Sequence, residues 1–434
     1  MQLWLIPCFY AIASIIGGFA LPRLEARYFS YDFDISVASA QAYLSATASG
    51  MMALTGIVFS IAFVLVQFNA IVYSPRLVVW LARDRMLFHS MGVFVATFMY
   101  SLSTLAWTDR SGTGVVPLFS CVAVALMLVA SVLLLSLLVQ RLNNLQITRV
   151  LQIIGSTGRD VIRQAYSTAR RPAVHQGGGL HRPLDVPTLT IKHVGRPRTV
   201  TSIDVAALLD QACRTDCTIV VDCAVGDTLL EETRLLRTYG GAEISEPRLR
   251  RAIHVGDQRT FEQDPKYALR LLVDIAIKAL SPAINDPTTA VQAIDQIEDL
   301  LRRLGRCDLE TSQAVDHDGI VRVIYQMPSW ADYLALAFDE IRQFGATSIQ
   351  VMRRLRSALA GIAECVDDER GQLVRAHLDH LDLVIERSTF DAEDRAAARV
   401  KDRQGLGLSH RNEDPEEYLA GALTETTEKA MKHA

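Results

Sequence analysis

Residues 46–72 read ATASGMMALTGIVFSIAFVLVQFNAIV, 27 positions without a charged side chain. A helix needs about 20 apolar residues to cross a hydrocarbon core of ~30 Å, so this stretch can span a bilayer with length to spare. Three more runs share the property: Met1–Leu21, Met86–Trp107 and Val115–Val139. Residues 1–140 hold six basic and five acidic side chains, against 44 Lys+Arg and 48 Asp+Glu in the 434-residue chain. The hydrophobic excess is therefore concentrated in the first third. The net charge of −4 is modest and gives no reason to expect a nucleic-acid partner. The first run has neither a basic start nor a small-x-small cleavage site, so it reads as a retained span rather than a signal peptide.

Arginine placement sets the expected orientation. The loop between the second and third spans carries Arg76, Arg83 and Arg85 against Asp84, and the next loop only Asp109 and Arg110. Residues 141–200 hold ten Lys/Arg and two Asp. Both termini are thus expected in the cytosol, together with the large C-terminal part. Cys213, Cys217, Cys223, Cys307 and Cys365 would lie in a reducing compartment, where no disulfide framework forms.

After the membrane domain (1–140), residues 141–185 are basic and then Gly- and Pro-rich. They suggest a juxtamembrane helix and linker whose arginines attract anionic headgroups by roughly 1 kcal/mol each. Residues 186–262 change period. TLTIKHV alternates, CTIVVDC and AIHVG are short strand-like runs, and DVAALLDQA is helical, which together give a small mixed α/β unit. Residues 263–390 return to helical spacing, with Asp264-Pro265 and Asp286-Pro287 each placing an acidic N-cap before Pro at the first helical position. Residues 391–434 are charged and apolar-poor, and are expected to be a disordered tail. The fold class is an α-helical membrane protein with four transmembrane helices plus a cytosolic α+β domain, the small β-containing unit being followed by a helical bundle.

Three segments resemble the DUF2254 family of uncharacterised bacterial integral membrane proteins. They are TGIVFSIAFVLVQFNAIVYSPRLVVWLARDR (55–85) with MGVFVATFMY (91–100), HVGDQRTFEQDPKYALRLLVDIAIKALSPAINDPTTA (254–290), and LALAFDEIRQFGA (334–346). The chain departs from the family pattern at GRPRTVTSID (195–204), where a Ser-Gly-Tyr-type turn is expected. The resemblance implies a four-span protein of the bacterial inner (plasma) membrane with a cytosolic domain. It implies no reaction.

Two sets of residues stand out. In LSPAINDPTTA (280–290), Pro282 stops one helix, while Asp286 can cap the next and Pro287 has no N–H to leave unsatisfied. Asp286 also occupies the place an anion would take at that helix end, which argues against a phosphate site. Asn285, Thr288 and Thr289 have no evident structural duty, and Arg259 can reach an anion or a nearby carboxylate. Arg259, Asn285, Asp286, Thr288 and Thr289 are accordingly either a ligand contact or a structural corner. The second set lies on span two, where Ser45, Ser49, Gly56, Ser60 and Gln67 recur at multiples of three and four and form one stripe. Such a stripe either packs helices closely or lines a pore in a homo-oligomer.

Spans one, two and four as bounded above contain no ionisable Asp, Glu, Lys, Arg or His, which counts against proton-coupled transport. Cys213, Cys217 and Cys223 lack paired CxxC spacing, so no metal site is expected. Without a nucleophile elbow, Walker loop, HExxH or dinucleotide fingerprint, neither a cofactor nor enzymatic activity is expected. The sequence favours a homo-oligomeric channel or channel-like protein with a cytosolic regulatory domain. The alternative is a non-conducting membrane-anchored sensor or assembly scaffold.

Overall fold

The computed structural model describes residues 5–28, 36–72, 85–111, 116–143, 147–167, 186–241, 244–309 and 312–406. The chain divides into two compact units, Met1–Arg149 and Val150–Ala434.

Among the described residues the first unit has four helices, α1 (Leu5–Tyr28), α2 (Val37–Val72), α3 (Arg85–Ser111) and α4 (Leu118–Asn143). Each contains a segment long and apolar enough to cross a membrane. α1 and α2 outrun their apolar runs furthest. α2 begins at Val37 and, at 36 residues, is about 54 Å long. α1 continues through Pro22 to Tyr28, which brings Arg23, Glu25 and Arg27 onto the helix. α1 and α3 run parallel at close range because glycines face bulk. A Cβ on Gly18 would meet Ser103 Cβ at 2.8 Å, and one on Gly92 would meet the Tyr10 ring at 2.6 Å. Leu44, Tyr100 and Val124 form one buried cluster, and Met51, Val58, Phe94 and Leu138 another.

The second unit opens with α5 (Ile147–Ser167), then β1 (Leu189–Lys192), β2 (Arg198–Ile203), α6 (Val205–Thr215), β3 (Cys217–Val221), β4 (Thr228–Leu229), β5 (Arg234–Gly240), α7 (Glu246–Arg251) and β6 (Ile253–Gly256). There follow α8 (Pro265–Ala279), α9 (Pro287–Leu304), β7 (Gln313–Val315), β8 (Val321–Ile324), α10 (Trp330–Phe344), α11 (Ile349–Ala363), α12 (Asp368–Arg387) and α13 (Ala392–Ala398). One sheet has the order β1-β5-β3-β8-β7 and the other β4-β2-β6. β3 is the apolar, β-branched run expected to be a strand, and it lies at the centre of the larger sheet. β8 pairs parallel to it, Ile219 opposite Val323, so a strand pair from within the helical region completes the sheet.

α8 is buried over most of its circumference, from Leu269 to Ala279. Its Arg270 donates to Asp274 at 2.6 Å and bidentately to Glu340 of α10 at 3.0 and 2.6 Å. The charge ladder along α8 thus also ties two helices together, and Arg270 holds the Glu340 carboxyl below its ordinary range. α5, where the sequence suggested a basic juxtamembrane helix, buries Leu151, Ile154, Val161 and Ile162. It docks on α8 and α9 through Gly158, whose missing Cβ would lie 2.9 Å from Leu300 and 3.0 Å from Ala268. Arg159 pairs with Asp299 at 3.0 Å rather than facing outward.

Residues 391–406, grouped by composition with a disordered tail, are folded. α13 is capped by Asp391, and Asp402 is 1% exposed and accepts the N–H groups of Gln404 and Gly405 at 3.0 and 2.9 Å. Residues 168–185 and 407–434 lie outside the described residues.

Candidate functional site

The α2 stripe faces outward. Ser45, Ser49, Gly56 and Ser60 are exposed, while Leu44, Ala48, Met51 and Val58 carry the helix's packing within the unit. Ser49, Ala53, Gly56 and Ser60 line a shallow groove on this outer face. A second, almost wholly apolar groove runs from Gly56 past Phe59 to Met91 and Met99 of α3. No heavy atom lies within 4 Å of a Cβ built on Gly56. Gln67 belongs to α2, but its side chain lies outside the described ones.

The corner after α8 is a folded turn. Asp286 Oδ1 accepts the Thr289 N–H at 3.1 Å, and the Thr289 hydroxyl donates to Oδ2 at 2.6 Å. Thr289, read from sequence as free of duty, is therefore half of the cap. Asn285 is left-handed, with φ 50°, a conformation Asn tolerates better than most residues. Its N–H bonds to the Ser281 carbonyl at 2.9 Å. Asn285 and Thr288 are exposed.

Arg259 belongs elsewhere. It sits at the opposite end of α8, a 15-residue helix of about 22 Å, beside Asp264 and Gly226. A Cβ on Gly226, where φ is 93°, would lie 2.6 Å from Asp264 Oδ2 and 3.3 Å from the Arg259 guanidinium carbon. Asp264 holds the N-cap position of α8 but makes no side-chain cap bond. It is 2% exposed, and neither carboxylate oxygen has a hydrogen-bond partner among the described residues. Burial pushes its carboxyl above the usual range, against the pull of Lys266 and Arg259. Lys266 spends its ammonium on the Val225 carbonyl at 3.0 Å. Nearby, Tyr166 of α5 and Tyr333 of α10 share a buried 2.8 Å hydrogen bond, and both interact electrostatically with Asp264. Burial raises the Tyr166 phenol to about 12.

Sequence reasoning missed the interior of the first unit. Glu25, past the end assigned to span one, is 6% exposed. Its carboxylate accepts the N–H groups of Phe119 and Ser120 at 2.8 and 3.3 Å, capping the start of α4. On α3, Ser90, Thr97, Ser101, Thr104 and Thr108 are all buried. Their spacing of seven, four, three and four was a readable signal, as clear as the one on α2.

A unit of helices each long and apolar enough to cross a membrane, followed by a mixed α/β and helical unit, defines a membrane-protein class. The chain belongs to the family described as "Predicted membrane protein (DUF2254)", whose family model matches residues 1–361. Two mycobacterial relatives are similar along most of their length. They are Uncharacterized protein Rv1290c of Mycobacterium tuberculosis (strain H37Rv) and Uncharacterized protein Mb1321c of Mycobacterium bovis. Each is 27% identical over 405 residues, covering 91% of this chain and 78% of the relative. No solved structure matches the chain.

Proposed function

We propose that this is a four-span protein of the bacterial inner membrane, with both termini and the second unit cytosolic, that forms a homo-oligomeric channel or channel-like assembly. The observation that carries the reading is the outward α2 face. Its serines and Gly56 are exposed, whereas α2's contacts within the unit use the opposite side. In a bilayer such a face gains by meeting another protein surface, because small residues let backbones approach closely. A second copy offers the same stripe. Around a symmetry axis the serine hydroxyls would line a narrow lumen, with the second unit regulating it from the cytosol. Anionic headgroups remain the expected partner of the basic segment, though Arg159 is engaged by Asp299.

The apolar groove beside Gly56, lined by Met52, Met91 and Met99, favours a second reading in which the same faces pack without conducting. The protein would then be a membrane-anchored sensor or assembly scaffold.

Thiol accessibility separates the two. In a background with Cys8 and Cys121 replaced by Ser, the purified oligomer carries Ser49→Cys, Gly56→Cys or Ser60→Cys and is treated with a charged, membrane-impermeant thiol reagent. Only hydrated thiols ionise and react. The channel reading expects all three to react, while Ile57→Cys and Ile61→Cys on the flank stay protected. Equal protection at all five positions refutes a lumen lined by α2 and supports the packed scaffold.

A further inference from the structure

We propose that the interior of the four-helix unit is a proton path, separate from the outward α2 face, running from Glu25 to the Tyr10–His89 pair. It rests on the membrane reading above but not on the α2 oligomer.

Ser90, Thr97, Ser101, Thr104 and Thr108 stand on one buried face of α3. From Ser90 to Thr108 the rise is about 27 Å, close to the ~30 Å thickness of a hydrocarbon core. Across from them on α4, Ser120 and Ser131 are fully buried. Three polar pairs mark three levels of the unit. Ser120 Oγ is 3.5 Å from Glu25 Oε2, Thr97 and Ser131 hydroxyls are 3.1 Å apart, and the Tyr10 hydroxyl is 3.3 Å from His89 Nδ1.

Close helix packing explains part of this. Thr97, Ser101, Thr108 and Ser131 donate to carbonyls one turn back, at 2.8–2.9 Å, and small side chains let α1 approach α3. Packing alone would be served equally by alanine, and it leaves two facts over beside Glu25, the buried carboxylate that caps α4 at one end of the file. Tyr100 is 6% exposed, with its hydroxyl beside those of Thr104 and Ser120 but in hydrogen-bond geometry with neither. Ser90 is fully buried, and its hydroxyl also has no partner among the described residues. The Tyr100 and Ser90 hydroxyls thus keep donors and acceptors that a proton relay can use. Intramembrane ionisable groups mark such relays in membrane proteins.

The groups facing Glu25 are Tyr100 from α3, and Cys121 with the two N–H groups from α4. On α1 itself, Arg23 lies over the Phe19 ring and Arg27 over Tyr28, and neither pairs with Glu25 among the described residues. From α2, Tyr43 adds a hydroxyl close to Cys121. A proton from the outer solution bonds to a Glu25 oxygen. The carboxyl passes it to a neighbouring hydroxyl oxygen, which releases its own proton onward as its O–H bond breaks. Each oxygen gains and loses one proton, the His89 imidazole delivers the last to water, and Glu25 returns to carboxylate. Net transfer is one proton between the two solutions.

The test uses the full-length protein in liposomes carrying an internal pH dye, with a potassium gradient and valinomycin to set the voltage. Vesicle flotation establishes insertion. Wild type should acidify the lumen. Glu25→Gln should slow this at least tenfold, Glu25→Asp less, and Thr97→Val with Ser101→Ala several-fold. Leu126→Ala and Leu133→Ala, exposed on α4, should leave the rate unchanged. Should Glu25→Gln not fold by size exclusion and melting, the α3 pair carries the comparison. Inserted wild type that moves no protons overturns the proposal, as does flux undiminished by the folded interior variants or abolished by the exposed α4 variants. Protein that fails to float with the vesicles overturns the membrane reading instead.

Discussion

Asp264 and Asp286 occupy the same local sequence, an aspartate at the N-cap followed by proline at the first helical position, yet they should respond to mutation with opposite signs. Asp286 accepts a backbone N–H at 3.1 Å and the buried Thr289 hydroxyl at 2.6 Å. Removing a working cap costs about 0.5–2 kcal/mol. Stranding the Thr289 hydroxyl adds about 1 kcal/mol. Asp286→Ala should therefore lose about 2 kcal/mol, lowering the melting temperature by roughly 4–8 °C at 2–4 °C per kcal/mol. Asp264 makes neither bond, and its buried carboxylate has no hydrogen-bond partner among the described residues, only the pull of the Lys266 and Arg259 charges. Asp264→Asn removes that charge while keeping shape and capping ability, so it should gain about 1 kcal/mol or more at pH 8.

The pH dependence gives the sign independently. Burial raises the native Asp264 carboxyl above its unfolded value. Between the two values the native state holds the proton and the unfolded state does not, so stability falls as pH rises through this window and is flat above it. Asp264→Asn should abolish that component, and the gain over wild type should vanish at low pH. Thermal melts of the detergent-solubilised protein between pH 4 and 8 read both effects. If Asp264→Asn loses as much stability as Asp286→Ala at pH 8, Lys266 and Arg259 compensate the charge fully and the reasoning fails.

Gly158→Leu should prise α5 from α8 and α9, because its first side-chain carbon would already lie 2.9–3.0 Å from Leu300 and Ala268. The expected loss is about 1–3 kcal/mol, read by melting, with Gly158→Ala milder. At the corner, Asn285→Gly should be neutral to within about 0.5 kcal/mol, whereas Asn285→Val should cost about 1–2 kcal/mol, since φ is 50° there. Equal melting temperatures for the two variants would refute the left-handed turn. For orientation, a reporter active only in the cytosol should work when fused after Arg403 and fail when inserted near Gly112. The reverse pattern would invert the proposed topology.

Length and apolarity made the four long helices legible, because spanning a bilayer is a one-dimensional requirement. The end of α1 was not legible. Pro22 and Arg23 look like a stop, and what keeps the helix going is tertiary, since Glu25 must reach the start of α4. β7 and β8 were missed because runs of three and four residues carry no period. Their warrant is β3, about a hundred residues earlier in the chain, which needs a neighbour on its second edge. Arg259 and Asn285 looked like one candidate site because both flank α8 in sequence, but a straight helix keeps its two ends apart.

The two hydroxyl stripes carry this furthest. Ser45, Ser49, Gly56 and Ser60 on α2 and Thr97, Ser101, Thr104 and Thr108 on α3 are the same kind of signal, and periodicity reports only that each forms a face. Which face is covered depends on the neighbouring helices. α1 approaches α3 through Gly18 and Gly92, so the α3 hydroxyls are sealed inside, while the α2 serines are exposed among the described residues. A covered polar face must satisfy itself within one chain and can relay protons there. An uncovered one needs a second chain. The same pattern therefore argues for conduction through the protomer at α3 and for assembly between protomers at α2, and the flux and thiol experiments read these two roles separately.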